Sequence, residues 1–287
     1  MPSGIIIIDK PAGWTSHDVV AKLRRVYSER RIGHAGTLDP MATGVLPVFI
    51  GRATRAVEFA FQTDKEYLAG LRLGVMTDTQ DVTGAVLETR PVTVTPAQVE
   101  DMLPRFTGPI LQIPPMYSAL KVGGRALYKL AREGREVERL PRPVTIYEFK
   151  LLSRTGEYDY ALRVSCSKGT YIRTLCHDLG QALGCGGILS SLRRTKAAGF
   201  TLDSAVTMDT VLSHPDPQSL LLPVDRYFDR YPSLIVDAEA EKKIRNGNAI
   251  ALPGEDGEYR VYGPGGFLML GMRTGNQLSV IKSFFEV

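Results

Sequence analysis

The chain has 287 residues, 44% hydrophobic and 23% charged, with a formal net charge of +4. That size allows one large domain or two of ordinary size around a substantial core. No run approaches the ~18 consecutive apolar residues of a membrane span, and the apolar opening Gly4-Ile5-Ile6-Ile7-Ile8 stops at Asp9-Lys10 without a basic leader, so a cytoplasmic protein without membrane contact is expected.

Cys166, Cys176 and Cys185 are odd in number and lack C-x-x-C pairing. Reduced thiols are expected, with neither a disulfide framework nor a metal site. Charge is segregated along the chain. Residues 21 to 55 hold seven Lys/Arg against two acids, residues 121 to 144 seven against three, and residues 163 to 196 six against one. Such segregation is the footprint of a polyanion-binding face; the alternative is three unrelated basic stretches pointing in different directions.

In chain order, Ile5 to Ile8 reads as a buried strand followed by the rigid corner Lys10-Pro11, and Ser16 as the N-cap of a helix carrying Val19, Val20, Leu23, Val26 and Tyr27 on one face. The stretch from Arg31 to Leu46 (RIGHAGTLDPMATGVL) breaks every period. Gly33, Gly36 and Gly44 offer positive φ, and Pro40 drives Asp39 out of the helical region. The result is a rigid loop presenting one carboxylate, which serves either as a structural Asx-turn or as a reactive group.

Val45 to Ile50 is a strand in which Pro47 favours an edge or a bulge, and Ala53, Ala56, Val57, Ala60 and Phe61 mark a helix. Tyr67, Ala69, Leu71 and Leu73 share one side of a strand, followed by the acidic turn Asp78 to Gly84 and a strand near Ala85 to Leu87. Thr95-Pro96 caps a scaffold helix that Gly108 stops. Gln112 to Gly134 combines a Pro-Pro corner, Gly123-Gly124 and a basic helix bearing Arg125, Lys129 and Arg132, a flexible appendage suited to closing over a ligand.

Val144 to Leu151 and Tyr158 to Cys166 alternate about Thr155-Gly156, a hairpin signal that makes the sheet at least partly antiparallel. A helix then opens at Tyr171-Ile172-Arg173. The macrodipole disfavours Arg173 there by ~0.3–1 kcal/mol, so a nearby carboxylate is expected to compensate it. Pro215 to Pro223 reads as a linker. Beyond Tyr231, a helix from Asp237 to Asn246 precedes four short strand candidates separated by Gly-rich turns, the texture of a small β-barrel. Neither a Walker A motif nor a strand-linked GxGxxG is present.

If the basic face binds nucleic acid, the chemistry must suit a lone carboxylate. Metal-dependent cleavage needs acid clusters, and paired-carboxylate glycoside hydrolysis needs a second acid near Asp39 that is not obvious in the sequence. A single Asp kept ionised by an arginine, its pKa lowered by ~1–3, can act as nucleophile or electrostatic stabiliser on a base or its sugar.

The stretch Gly33 to Leu46 resembles the catalytic motif of the TruB family of pseudouridine synthases. Similar family signatures stand at Asp9 to Gly13 with Thr15-Ser16, Lys65 to Tyr67, Asp78 to Asp81, Gln112 to Lys121, Cys166 to Leu175 and Leu192 to Arg194, in order from about residue 4 to residue 196. The resemblance implies an α+β pseudouridine-synthase fold: a mixed, largely antiparallel sheet flanked by helices over residues 1–231, with a thumb-like RNA-binding insertion at 112–144. Residues 232–287 would form a small PUA-like β-barrel that binds RNA.

The implied activity is isomerisation of the T-loop uridine at tRNA position 55 to pseudouridine by base flipping, without a cofactor. Asp39 would be the essential carboxylate, acting at the base or at the ribose. Arg173 would pair with it, and Tyr67 would stack on the extruded uracil and assist at C5. His34 would enter the T-loop, Tyr171 and Leu192 would line the pocket, and Lys10 and Pro11 would support it. The implied partner is tRNA, through its T-arm and elbow, for a monomer with no obligate protein partner. The rivals are the guide-RNA-dependent branch of the same superfamily and a non-catalytic RNA chaperone.

Overall fold

The computed structural model describes residues 2–60 and 63–285. A ten-stranded mixed sheet organises most of the chain. Its principal strands are β1 (Gly4–Lys10), β2 (Thr43–Ile50), β3 (Lys65–Leu73), β4 (Gly108–Gln112), β5 (Arg142–Arg154), β6 (Asp159–Cys166), β7 (Gly187–Ala197) and β8 (Val206–Thr207), in the spatial order β8-β1-β2-β7-β3-β6-β5-β4. Most neighbours are antiparallel, while β8 on β1 and the short β7–β2 contact are parallel. Helices α1 (Ser16–Val26), α2 (Pro96–Met102) and α4 (Ile172–Ala182) bury Val19, Leu23, Val99, Leu175 and Leu179 in the same cluster as Leu71, Leu162 and Val164 of the sheet.

Local chemistry decides where the elements begin. Thr15, not Ser16, caps α1: its hydroxyl accepts from the Asp18 amide, and the Asp18 carboxylate accepts from the Thr15 amide. Ser16 is instead buried and ties α1 to the Asp39 loop through the Leu38 amide, 2.9 Å away. The segment after β2 is a 3₁₀ turn, Gly51–Ala56, followed by a single α-helical turn, Val57–Ala60, and Phe61 lies outside the described residues. Gly33 sits in the short strand Ile32–His34, so only Gly36 (φ +85°) and Gly44 (φ +100°) use the left-handed region in that loop.

Pro47 does not lie at an edge. One side of β2 ladders along β1, and the other changes partner from Arg193 and Arg194 of β7, opposite Thr43 and Gly44, to Ile32–His34, opposite Val48 to Ile50. Pro47 falls in the gap, where its missing N–H breaks no ladder on that side. In the insertion, α3 is only Leu127–Arg132. Arg125 belongs to a two-stranded hairpin, Lys121–Val122 with Arg125–Ala126, turned by Gly123-Gly124 with both φ positive.

The Pro215 to Pro223 stretch is packed rather than loose: the Pro217 carbonyl accepts from the Tyr27 hydroxyl, and Leu222 bridges Ile5. Beyond it, β9 (Ser233–Ile235), α5 (Ala238–Arg245), β10 (Ile250–Ala251), β11 (Gly257–Gly263), β12 (Gly266–Thr274) and β13 (Gln277–Ser283) build a five-stranded curled sheet in the order β9-β11-β12-β13-β10, a PUA-like half-barrel. Phe228, fully buried, contacts Phe59, Tyr227, Tyr231, Phe267 and Phe284 at centroid distances of 5.1–6.3 Å. The half-barrel and the large sheet therefore share one aromatic core. Removing residues 232–287 strips that core as well as any RNA contact it makes, so loss of affinity alone is not the expected effect. Phe228→Ala is expected to cost about 3–5 kcal/mol, read as a lowered midpoint in equilibrium denaturation.

Candidate active site

The loop between the Ile32–His34 strand and β2 places Asp39 in a cleft of about 850 Å³. It is tied on both sides of the carboxylate. The Leu38 amide donates to Ser16, the Pro40 carbonyl accepts from the Gly13 amide (2.8 Å) and from the Lys10 ammonium (3.4 Å), and the Ala42 amide closes a turn on the Asp39 carbonyl. Gly44 is required by close approach, since a Cβ there would stand 2.2 Å from the Arg194 carbonyl oxygen.

Arg173 reaches into the cleft from the first turn of α4. Its Nε meets Asp39 Oδ2 at 3.0 Å, Nη1 lies 3.1 Å from the Thr79 carbonyl oxygen and 3.7 Å from Asp81 Oδ2, and Nη2 donates to the Tyr117 carbonyl at 2.7 Å. The unfavourable position at the helix start is thus offset by two carboxylates and two carbonyls. The sequence offered no obvious second acid, yet Asp81 is buried beside the same guanidinium. Its other oxygen accepts from the Thr79 hydroxyl and from the Thr83 amide and hydroxyl. The signal was present as Asp78-Thr79-Gln80-Asp81, whose turn-like composition concealed a side chain pointing inward.

Asp39 does not follow the simple expectation for a carboxylate next to arginine. Although 37% of its side-chain surface is accessible, protein surrounds it on the scale that sets solvation. Burial pushes its pKa above the ordinary value of 3.8, Arg173 pulls against this, and Asp81 adds to the rise. His34 lines the cleft edge-on to His17, with ring centroids 6.0 Å apart, and burial holds it down at about 4, so it is neutral at pH 7. Tyr117, Tyr128 and Arg132 of the insertion line the opposite wall, and the Tyr117 hydroxyl donates to Asp78.

The remaining sequence-predicted residues, Tyr171 and Leu192 included, are not among those lining the cleft. Tyr67 on β3 is buried, with its hydroxyl against Arg194, and Leu192 is buried in the same core. Tyr171 is the N-cap residue of α4, its backbone clasped by the Gln112 side chain, which accepts from the amide (3.0 Å) and donates to the carbonyl (3.2 Å). Lys10 is fully buried, with its ammonium on the carbonyls of Pro11, Trp14 and Pro40, and burial lowers it to about 8. Pro11 borders a smaller cavity with Trp14 and Arg193.

The basic segments divide on folding. Arg24, Arg25, Lys121, Arg125, Lys129, Arg132, Arg163 and Lys196 are exposed. In contrast, Arg173 and Arg194 are buried, and Arg193 is paired with Asp9 at 2.8 Å. Within the third basic stretch, Arg173 and Arg194 therefore serve the interior, and Arg193 is tied up in an ion pair.

A glycine-rich loop thus holds Asp39 against Arg173, with Asp81 on the same guanidinium and Tyr117, Tyr128 and Arg132 lining the same cleft. The description "TruB family pseudouridylate synthase (N terminal domain)" matches residues 24–172, and "tRNA pseudouridylate synthase B C-terminal domain" matches residues 173–229. The chain belongs to the TruB family of pseudouridylate synthases, which makes it an isomerase. It is 46% identical over 276 residues to the tRNA pseudouridine synthase B of Aromatoleum aromaticum, covering 95% of this chain and 89% of that one. With the tRNA pseudouridine synthase B of Clostridium kluyveri it is 42% identical over 288 residues, covering 98% and 99%. A similar solved structure is described as "Crystal Structure of a Cbf5-Nop10-Gar1 Complex", with a TM-score of 0.73, 27% identity and coverage of 98% of this chain and 85% of that one. No helix among the described residues is long and apolar enough to cross a membrane.

Because Asp39 must lose its proton to act as a carboxylate, the acid limb of the rate is expected above the ordinary Asp value of 3.8. Asp81 contributes to the rise, so Asp81→Asn should move that limb to lower pH. Single-turnover rates measured against pH check both.

Proposed function

We propose that this isomerase converts the T-loop uridine at tRNA position 55 to pseudouridine, with Asp39 as the essential carboxylate. The observation that carries the reading is the 3.0 Å Asp39–Arg173 ion pair in a cleft covered by the 112–144 insertion, in a chain whose relatives bear the name tRNA pseudouridine synthase B.

The reaction breaks N1–C1′, turns the uracil and joins C5 to C1′; the C5 proton leaves and N1 gains one, so composition is unchanged and no redox or group-transfer cofactor is required. Asp39 serves either route, by attack at ribose C1′ or at the ring. The target base leaves its stack to enter the cleft, at a cost of a few kcal/mol that is lowest for a loop nucleotide. Tyr67, Tyr171 and Leu192 form the rear of the uracil site, Lys10 and Pro11 brace the Asp39 loop, and neutral His34 faces the T-loop. Exposed arginines and lysines on α1, the insertion and β6 hold the T-arm and elbow through phosphates, with the half-barrel of residues 232–287 extending that surface. The setting is a cytoplasmic enzyme acting as a monomer on tRNA without a protein partner.

The test is incubation of the purified chain alone with an unmodified T-arm RNA in EDTA, followed by pseudouridine-specific mapping. Conversion of the single T-loop uridine is expected, and no conversion would assign the chain to a guide-dependent or purely chaperoning role. Asp39→Asn should abolish turnover while leaving T-arm affinity within about threefold, measured by filter binding.

A further inference from the structure

Arg194 is fully buried in β7, directly across from Tyr67 of β3 in the antiparallel ladder and from Gly44 of β2. All of its partners are uncharged. Nε donates to the Val45 carbonyl at 2.7 Å, in the gap of β2 that no strand fills, Nη2 donates to the Gly36 carbonyl at 3.0 Å, and the guanidinium also holds the Tyr67 hydroxyl. No carboxylate pairs with it among the described residues. Its neighbours Lys10 and Lys65 are cations too, both held at about 8 chiefly by burial, with Arg194 adding to the fall.

A buried guanidinium without a carboxylate partner carries a large desolvation penalty. Spanning a strand gap does not demand that cost, because a neutral donor can serve one carbonyl. What only a planar fork does is join three groups in fixed relation: Gly36 and Val45, which belong to the loop and strand around Asp39, and the phenol of Tyr67. We propose that Arg194 is a positioning residue of the isomerisation, fixing the Tyr67 hydroxyl relative to the Asp39 loop so that the uracil meets both groups already in register. The inference rests on the pseudouridine-synthase reading above. Arg194 itself does not touch the cleft; it acts through Tyr67 and the loop.

The test is a double-mutant cycle of Arg194→Lys and Tyr67→Phe, read as steady-state kcat and KM on a T-arm RNA, with thermal midpoints alongside. Lysine keeps the buried charge and loses the fork. Arg194→Lys is expected to lower kcat by at least about 30-fold with KM within about threefold. In the Tyr67→Phe background, where there is no hydroxyl to hold, the same substitution should change kcat by less than about threefold. An equal fold-loss in both backgrounds would reduce Arg194 to a structural brace and overturn the proposal. Should Arg194→Lys fail to fold, Arg194→Gln takes its place in the cycle: a kcat loss confined to the Tyr67 background supports the proposal, and an equal loss in both backgrounds overturns it. Wild-type protein that forms no pseudouridine would overturn the functional reading and the inference with it, whereas variant losses against an active wild type bear on the inference alone.

Discussion

The structure depends on one guanidinium making four contacts at once. Arg173 joins Asp39 from the glycine loop, Asp81 and Thr79 from the acidic turn, and Tyr117 from the insertion. These segments are far apart in sequence and share no strand ladder; Arg173 touches all three, and the Tyr117 hydroxyl on Asp78 adds a second tie between the insertion and the acidic turn. A planar fork with five donors can do this, and an ammonium cannot. The same contacts link chemistry to access, because the segment that covers the cleft is held by the residue that orients the carboxylate.

Around that point the chain spends polar groups to fix backbone. Ser16, Lys10 and Arg194 bind carbonyls or amides of the Asp39 loop from three directions, which makes the loop as well determined as a strand. Burial also changes the ionisation of these groups, raising Asp39 and lowering Lys10 and His34. A carboxylate destabilised by burial is more basic than one in water, and Arg173 opposes that rise without cancelling it.

Much of this was legible in sequence because the periods are clean. The β3 alternation Tyr67, Ala69, Leu71, Leu73, the β5–β6 hairpin and the Thr95-Pro96 cap all rest on local patterns that tertiary packing did not override. The helix-start position of Arg173 pointed to a carboxylate for the same reason. What could not be read depends on contacts distant in sequence. Asp81 looked like a turn acid because its inward direction is set by Thr79, Thr83 and Arg173. Arg193 and Arg194 counted as surface charge because composition cannot tell a cation facing phosphate from one facing a carboxylate, as Arg193 does, or carbonyls, as Arg194 does. Pro47 suggested an edge because the partner change along β2 leaves no mark in its own sequence.

The central claim is that Arg173 orients Asp39 and does not merely attract RNA. The measurement that tests it most directly is the single-turnover rate of Arg173→Lys on a T-arm RNA, alongside the dissociation constant for the same RNA. Lysine keeps the charge and loses the fork, so orientation requires a rate loss of about 100-fold or more with affinity within about threefold of wild type. A wild-type rate, or a rate loss matched by an equal loss of affinity, would contradict it.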